Sequence, residues 1–141
     1  RLVAAGYEHY EISNFARPGR QGRHNLRYWH LEPWLGLGPA AHSFVDGRRF
    51  QHPADLGAWL ADPLATAPLD HDLAQERAML GLRLEEGVDL ETLRAASGAT
   101  DVELAERLRR LRPFVVESAG RIRLTTEGRV VSNPVLTELF F

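Results

Sequence analysis

Between Asp62 and Pro68 the chain reads Asp-Pro-Leu-Ala-Thr-Ala-Pro, and this run constrains the fold more than any other stretch. Two prolines in seven residues cannot continue a helix or sit in a central strand, so the elements on either side have to be separate. The charge balance changes there too. Residues 1–50 carry seven arginines against Glu8, Glu11, Glu32 and Asp46, a balance of +3, whereas residues 51–141 carry ten arginines against fifteen acids, a balance of −5. A chain of 141 residues has room for one ordinary domain or two small units. The expected organisation is a first unit over 1–62, a link over 63–69 and a second unit over 70–141.

The second unit reads as small amphipathic helices. Asp72 with Gln75 opens one that carries Leu73, Met79 and Leu80 towards Leu82 and Leu84; Asp89 opens the next, with Leu90 and Leu93, and Gly98 stops it. Thr100 with Glu103 opens a third, whose stripe is Leu104, Leu108 and Leu111 and whose end is Pro113. A hairpin of Phe114–Glu117 and Arg121–Leu124 turns at Ala119-Gly120, and the rest is expected to be helical with a kink at Asn133-Pro134. Three helices, a hairpin and a closing helix is the order of a winged-helix module. Arg107, Arg109, Arg110 and Arg112 then fall where such a module would read DNA, but Asp101, Glu103 and Glu106 share the helix and the half is acidic, so nucleic acid is not the expected partner.

The first unit is less regular. Leu2 to Gly6 reads as the last turn of a helix with its glycine stop, which suggests a fragment of a longer protein. Residues 7–16 alternate at Tyr10, Ile12 and Phe15 like a strand with one polar face, the pattern of an inner wall of an α/β barrel. Glu8 and Glu11 fall on opposite faces of such a strand and make no acid–base pair. Arg17 to Arg23 is a loop. Asn25 to Leu31 suits a short helix ended by Pro33, Trp34 to Gly38 reads as a buried strand entering a glycine turn, and Phe44 to Phe50 is a hairpin about Asp46-Gly47. Asp55 caps a helix containing Leu56, Trp59 and Leu60.

Chemistry concentrates in His24-Asn25-Leu26-Arg27-Tyr28-Trp29 and in Gly36-Leu37-Gly38-Pro39-Ala40-Ala41-His42-Ser43. The aromatic side chains of Tyr28, Trp29 and Trp34 could line a flat apolar pocket of the kind a porphyrin needs, with the His24 imidazole as axial ligand; the plainer alternative is that they are core. His42 is a second candidate, with a strand-end hydrogen bond as its plainer reading. The G-x-G turn lacks the third glycine of a dinucleotide fingerprint but lets backbone come close to a ligand. No nucleophile motif surrounds Ser13 or Ser43. The sequence has no cysteine, which excludes disulfides and thiolate metal ligands, and no apolar run long enough for a membrane span or leader, so a cytoplasmic protein is expected.

Tyr10-Glu11-Ile12-Ser13-Asn14-Phe15-Ala16, the H-N-x-x-Y-W run at residues 24–29 and the Gly36–Ser43 turn resemble, in order and spacing, the C-terminal part of the HemW family of radical S-adenosylmethionine (SAM) haem chaperones, relatives of the oxygen-independent coproporphyrinogen III oxidase HemN. Leu82-Arg83 before Gly87 and Leu124-Thr125-x-x-Gly128 extend the resemblance through the tail. It implies an α/β fold: the last strands and helices of a partial radical SAM barrel followed by a small winged-helix-like α+β domain. It further implies haem binding by His24, Asn25, Tyr28 and Trp29, with His24 on the iron, and an approach of SAM to Gly38, Ala41 and His42. A 4Fe-4S cluster and most of the SAM site would belong to a preceding part of the protein, so these residues alone are expected to run no radical chemistry. The implied partners are haem and haem-accepting respiratory-chain proteins, with peripheral membrane association and a homodimer as further expectations. Coproporphyrinogen III oxidation is the alternative activity. Ala40 and Phe44 depart from the glycine and tyrosine frequent in relatives.

Overall fold

The computed structural model describes residues 1–141. It is a mixed α/β structure with three small antiparallel sheets and seven α-helices. A 3-10 turn at Val3–Ala5 ends at Gly6 in the left-handed region, as its glycine stop implies. Residues 7–16 are not one strand. Strands β1 (Glu8–His9) and β2 (Phe15–Ala16) pair with each other, and Tyr10 to Asn14 turn the chain between them. The reason lies in the turn itself: Glu11 is 1% exposed, its carboxylate accepts the Ser13 N–H at 3.3 Å, and the His9 ring stacks on Phe15 with centroids 4.1 Å apart.

Helix α1 (Arg23–Trp29) carries the H-N-x-x-Y-W run, starting two residues earlier than its apolar pattern suggests. Trp34 makes a single antiparallel bridge to Phe44, but Leu35 and Leu37 are 71% and 91% exposed, so the stretch to Gly38 is not the buried strand its composition promises. Strands β3 (His42–Val45) and β4 (Arg48–Gln51) form the hairpin about Asp46-Gly47, both of which have positive φ, as a two-residue tight turn requires. After α2 (Leu56–Ala61), capped by Asp55, the proline-rich link contributes β5 (Ala67–Leu69), which pairs with β4. Pro68 is tolerated there because β5 is an edge strand, the one place in a sheet where a missing donor is harmless.

The remaining elements are α3 (Leu73–Gly81), β6 (Val88–Asp89), α4 (Leu90–Ser97), α5 (Asp101–Arg110), β7 (Val115–Ser118), β8 (Arg121–Leu124), α6 (Thr126–Val130) and α7 (Ser132–Phe140). Asp72, Asp89 and Thr100 cap α3, α4 and α5 through their side chains, and Thr100 with Glu103 closes a full capping box. The sheet order β6-β8-β7, with the short first strand before α4, completes a winged-helix arrangement. Its closing segment breaks at Val131, not at Asn133-Pro134; Pro134 lies in the first turn of α7, where no intrahelical N–H bond is lost.

Fourteen buried residues form one apolar core, all between Ala78 and Phe140, with Leu82, Leu93, Ile122, Leu124, Leu136 and Leu139 essentially inaccessible. Ile12 from the β1–β2 turn packs against it. No helix is long and apolar enough to cross a membrane.

Candidate functional site

The first half of the chain folds around an aromatic ladder. In α1, residues four apart stand one above the other, so the His24 ring meets Tyr28 edge-on, with centroids 5.0 Å apart. Tyr28 in turn meets Trp34 at 5.0 Å, Trp34 leans on Phe44 at 5.3 Å, and Phe44 meets the edge of His71 at 6.2 Å. Only Phe44 is fully buried; Tyr28 remains 38% exposed. The ladder therefore presents flat aromatic surface outward.

Asn25, Tyr28 and Trp29, at helical spacing on one side of α1, line a cleft of about 540 Å³ with Trp34, His42, Arg49 and Leu80. That size lies inside the usual range of ligand clefts, about 300–1,000 Å³. Four of the seven residues singled out in the two sequence runs thus share one concavity. His24, Gly38 and Ala41 do not line it. His24 stands exposed at its margin, joined to it through Tyr28. Gly38 and Ala41 form a turn in which the Ala41 N–H donates to the Gly38 carbonyl at 3.2 Å, tied to the neighbouring strand end by the Ala40 N–H on Pro53 O and the His52 N–H on Ala41 O.

The first glycine of the G-x-G pair has a use other than ligand approach. A Cβ on Gly36 would stand 2.2 Å from the His42 carbonyl oxygen, so it is the chain's own backbone that Gly36 admits. The Gly36 N–H donates to Ser43 Oγ at 3.0 Å and the Trp34 indole N–H donates to the His42 carbonyl at 3.1 Å. These bonds fix Trp34 and His42 relative to each other and leave the His42 imidazole free at the cleft wall.

A second hollow of about 490 Å³ adjoins the first, sharing His42, Arg49 and Leu80 with it, and extends to His71, Glu76 and Arg83. Arg49 lies over the Trp34 ring, 5.0 Å from its centroid, and makes a two-pronged ion pair with Glu76 of α3. Arg83 lies over Trp29 at 6.0 Å, and its amino groups donate to Met79 O at 3.2 Å and Asn133 Oδ1 at 3.4 Å. Burial holds the Arg83 guanidinium below its ordinary pKa, yet no carboxylate forms an ion pair with it. His71 places Nδ1 at 3.2 Å from the Leu69 carbonyl, while its Nε2 is buried without a partner.

Arg49, His71, Leu80 and Arg83 are absent from the sequence reading of the site. A signal existed for Arg49. The tight turn at Asp46-Gly47 sets the register Phe44↔Arg49, and residues directly opposite in a sheet share a face, so an inward Phe44 carries Arg49 to the aromatic side. For Arg83 there was none, since its place depends on how α3 meets α1.

In the winged-helix half, three of the four arginines of the 107–112 cluster have partners within the chain: Arg107 donates to Leu139 O, and Arg109 and Arg110 make surface ion pairs with Glu106 and Glu138.

The family model of the HemN C-terminal domain matches residues 70–131. Over 99% of its length the chain is 35% identical to a heme chaperone HemW of Synechocystis sp., covering 41% of that protein, and 37% identical to one of Mycobacterium tuberculosis, covering 36%. Residues 70–131 belong to the HemN C-terminal domain family, and the chain as a whole is similar to HemW proteins. It spans about two-fifths of the length of these HemW relatives. Among solved structures, coproporphyrinogen III oxidase (HemN) from Escherichia coli, a radical SAM enzyme, superposes with a TM-score of 0.64 at 18% identity, covering 99% of this chain and 38% of its own. The fold is therefore shared over the length of this chain.

Proposed function

We propose that this chain supplies the haem-receiving wall of a HemW-type protein that binds haem and passes it to haemoproteins, those of the respiratory chain among them. The observation that carries the reading is the convergence of Asn25, Tyr28 and Trp29 from α1 with Trp34 and His42 on one half-open cleft. Flat aromatic walls suit a planar macrocycle, and an exposed opening suits a cargo that must leave again. His24, accessible at the margin and held edge-on by Tyr28, would reach the iron from the open side. The names of the relatives, heme chaperone HemW, support the same reading.

The open turn of Gly38, Ala41 and His42 would face SAM, and a 4Fe-4S cluster would be held elsewhere in the full-length protein. The residues here do not fit a cluster: the sequence has no cysteine, and no group of three or more His, Asp or Glu side chains is placed to hold a metal. What these residues do is bind and orient the macrocycle and shield one of its faces. The division into a barrel-end unit over 1–62 and a winged-helix-like unit over 70–141 belongs to this proposal, as do a cytoplasmic location, peripheral contact with membrane-bound acceptors and assembly as a homodimer.

Haem titration followed by the Soret band tests the reading. The expected result is saturable binding to the wild type, weakened about tenfold or more by Trp29→Ala, the loss of roughly 1.4 kcal/mol of aromatic contact. His24→Ala is expected to change the position of the band. An unchanged spectrum in that variant would rule out axial ligation by His24, and equal affinity in Trp29→Ala would remove the cleft as the binding surface.

A further inference from the structure

The two arginines that line the hollow beside the cleft differ in one respect. Arg49 is neutralised by a two-pronged pair with Glu76, whereas Arg83 is a half-buried cation whose only partners, the Met79 carbonyl and the Asn133 amide oxygen, are neutral. A guanidinium keeps its charge at any physiological pH, so withdrawing it from water without a counter-ion has a cost that an incoming anion would offset. Two of the three carboxylates lining the hollow are engaged elsewhere: Glu76 by Arg49, and Asp72 by the Gln75 N–H that it caps. Asp70 also lines the hollow but forms no ion pair with Arg83. The Trp29 ring, which lines the aromatic cleft, lies under Arg83, and Arg83 lines the hollow that adjoins that cleft through His42, Arg49 and Leu80, so a ligand reaching from the cleft into the hollow meets this guanidinium.

Resting on the haem reading above, we propose that Arg83 is the receptor for a carboxylate on the rim of the ligand, so that the cleft selects tetrapyrroles with free propionates over esterified or uncharged ones. Arginine suits the role because its planar fork matches a carboxylate with two parallel N–H···O bonds. Asn133, at the first turn of α7, holds the fork in place with a weak neutral acceptor that a carboxylate displaces without leaving a charge unpaired. Arg83 thereby becomes a specificity residue contributed by the winged-helix half to a cleft built mainly by the first.

The test uses haem and haem dimethyl ester, both followed by the Soret band, on the purified wild-type protein and on Arg83→Gln, Arg83→Lys and Asn133→Asp. The wild type is expected to prefer the diacid by about tenfold or more. Arg83→Gln should abolish that preference with ester binding unchanged, and Arg83→Lys should retain part of it. Asn133→Asp, which supplies Arg83 with an internal carboxylate, should also abolish it although the arginine is still there. Equal wild-type affinity for the two forms overturns the proposal, as does an equal weakening of both forms in Arg83→Gln, which would mark a structural role. A wild-type protein that shifts the Soret band of neither ligand overturns the haem reading itself, a separate outcome from binding both without discrimination.

Discussion

Ala40 has a φ of +58° in the turn between Gly38 and His42, a conformation that strains any residue with a Cβ by about 1–2 kcal/mol. Its side chain is exposed, so glycine there would relieve strain and remove no contact. Part of the gain is offset by the greater freedom of glycine in the unfolded chain. Ala40→Gly is expected to raise stability by about 0.5–1 kcal/mol, read as a shift of the urea midpoint at unchanged slope. A lower midpoint would mean that the positive angle does not persist in solution. The turn holds the backbone of His42, so the same variant should leave the Soret titration unaltered.

At the scale of elements, helix α6 (Thr126–Val130) shows why helix propensity alone misleads. Alanine is favoured over glycine within a helix by about 1 kcal/mol. At residue 128, however, a Cβ would stand 1.9 Å from the Phe114 carbonyl oxygen, and backbone cannot move aside as a flexible side chain can. The approach is built in: Thr125 caps α6 through the Gly128 N–H, and the Thr125 hydroxyl donates to Pro113 O, drawing the helix start against the entry to β7. Gly128→Ala is therefore expected to destabilise by about 1–3 kcal/mol or more, through forced separation of α6 from β7. Thermal unfolding followed by circular dichroism would show it; a stabilised variant would mean that α6 and the 113–115 backbone are not in contact.

For the whole molecule, Arg129 is the long-range tie. Its side chain is 3% exposed, donates to the His9 carbonyl at 2.8 Å across 120 residues of sequence, and pairs with Glu85, which Arg123 also contacts at 3.0 Å. Together with the Glu85 N–H donating to Tyr10 O, this fastens the β1–β2 hairpin, and with it α1, to the winged-helix core. Arg129→Met keeps the apolar stem but strips the His9 carbonyl and Glu85 of a partner, and is expected to cost about 2–3 kcal/mol. Glu85→Gln should cost less, about 1 kcal/mol, because that carboxylate is half in water. Chemical denaturation of both variants checks the order, and equal losses would show that the ion pair, not the buried bond to His9, is what matters.

What could be read from the residues in order was whatever local physics fixes. The caps at Asp55, Asp72, Asp89 and Thr100 mark helix starts because their oxygens accept N–H groups three residues on. Asp46-Gly47 and Ala119-Gly120 mark hairpins because those turns demand positive φ. The H-N-x-x-Y-W run could be placed on a helix, and its helical spacing already grouped Asn25, Tyr28 and Trp29 on one side. Beyond that, sequence was silent or misleading. Nothing local distinguishes Leu35 and Leu37, which face water, from a buried strand, or announces that Tyr10 to Asn14 turn back around a buried Glu11. Only the tertiary structure decided that Gly36 serves the chain's own backbone, that His24 stands at the edge of the cleft, and that an Arg83 without an ion-pair partner lines the hollow beside it. Hydrogen-bond geometry and periodicity act over a few residues, but burial and charge compensation depend on segments that meet only once the chain has folded.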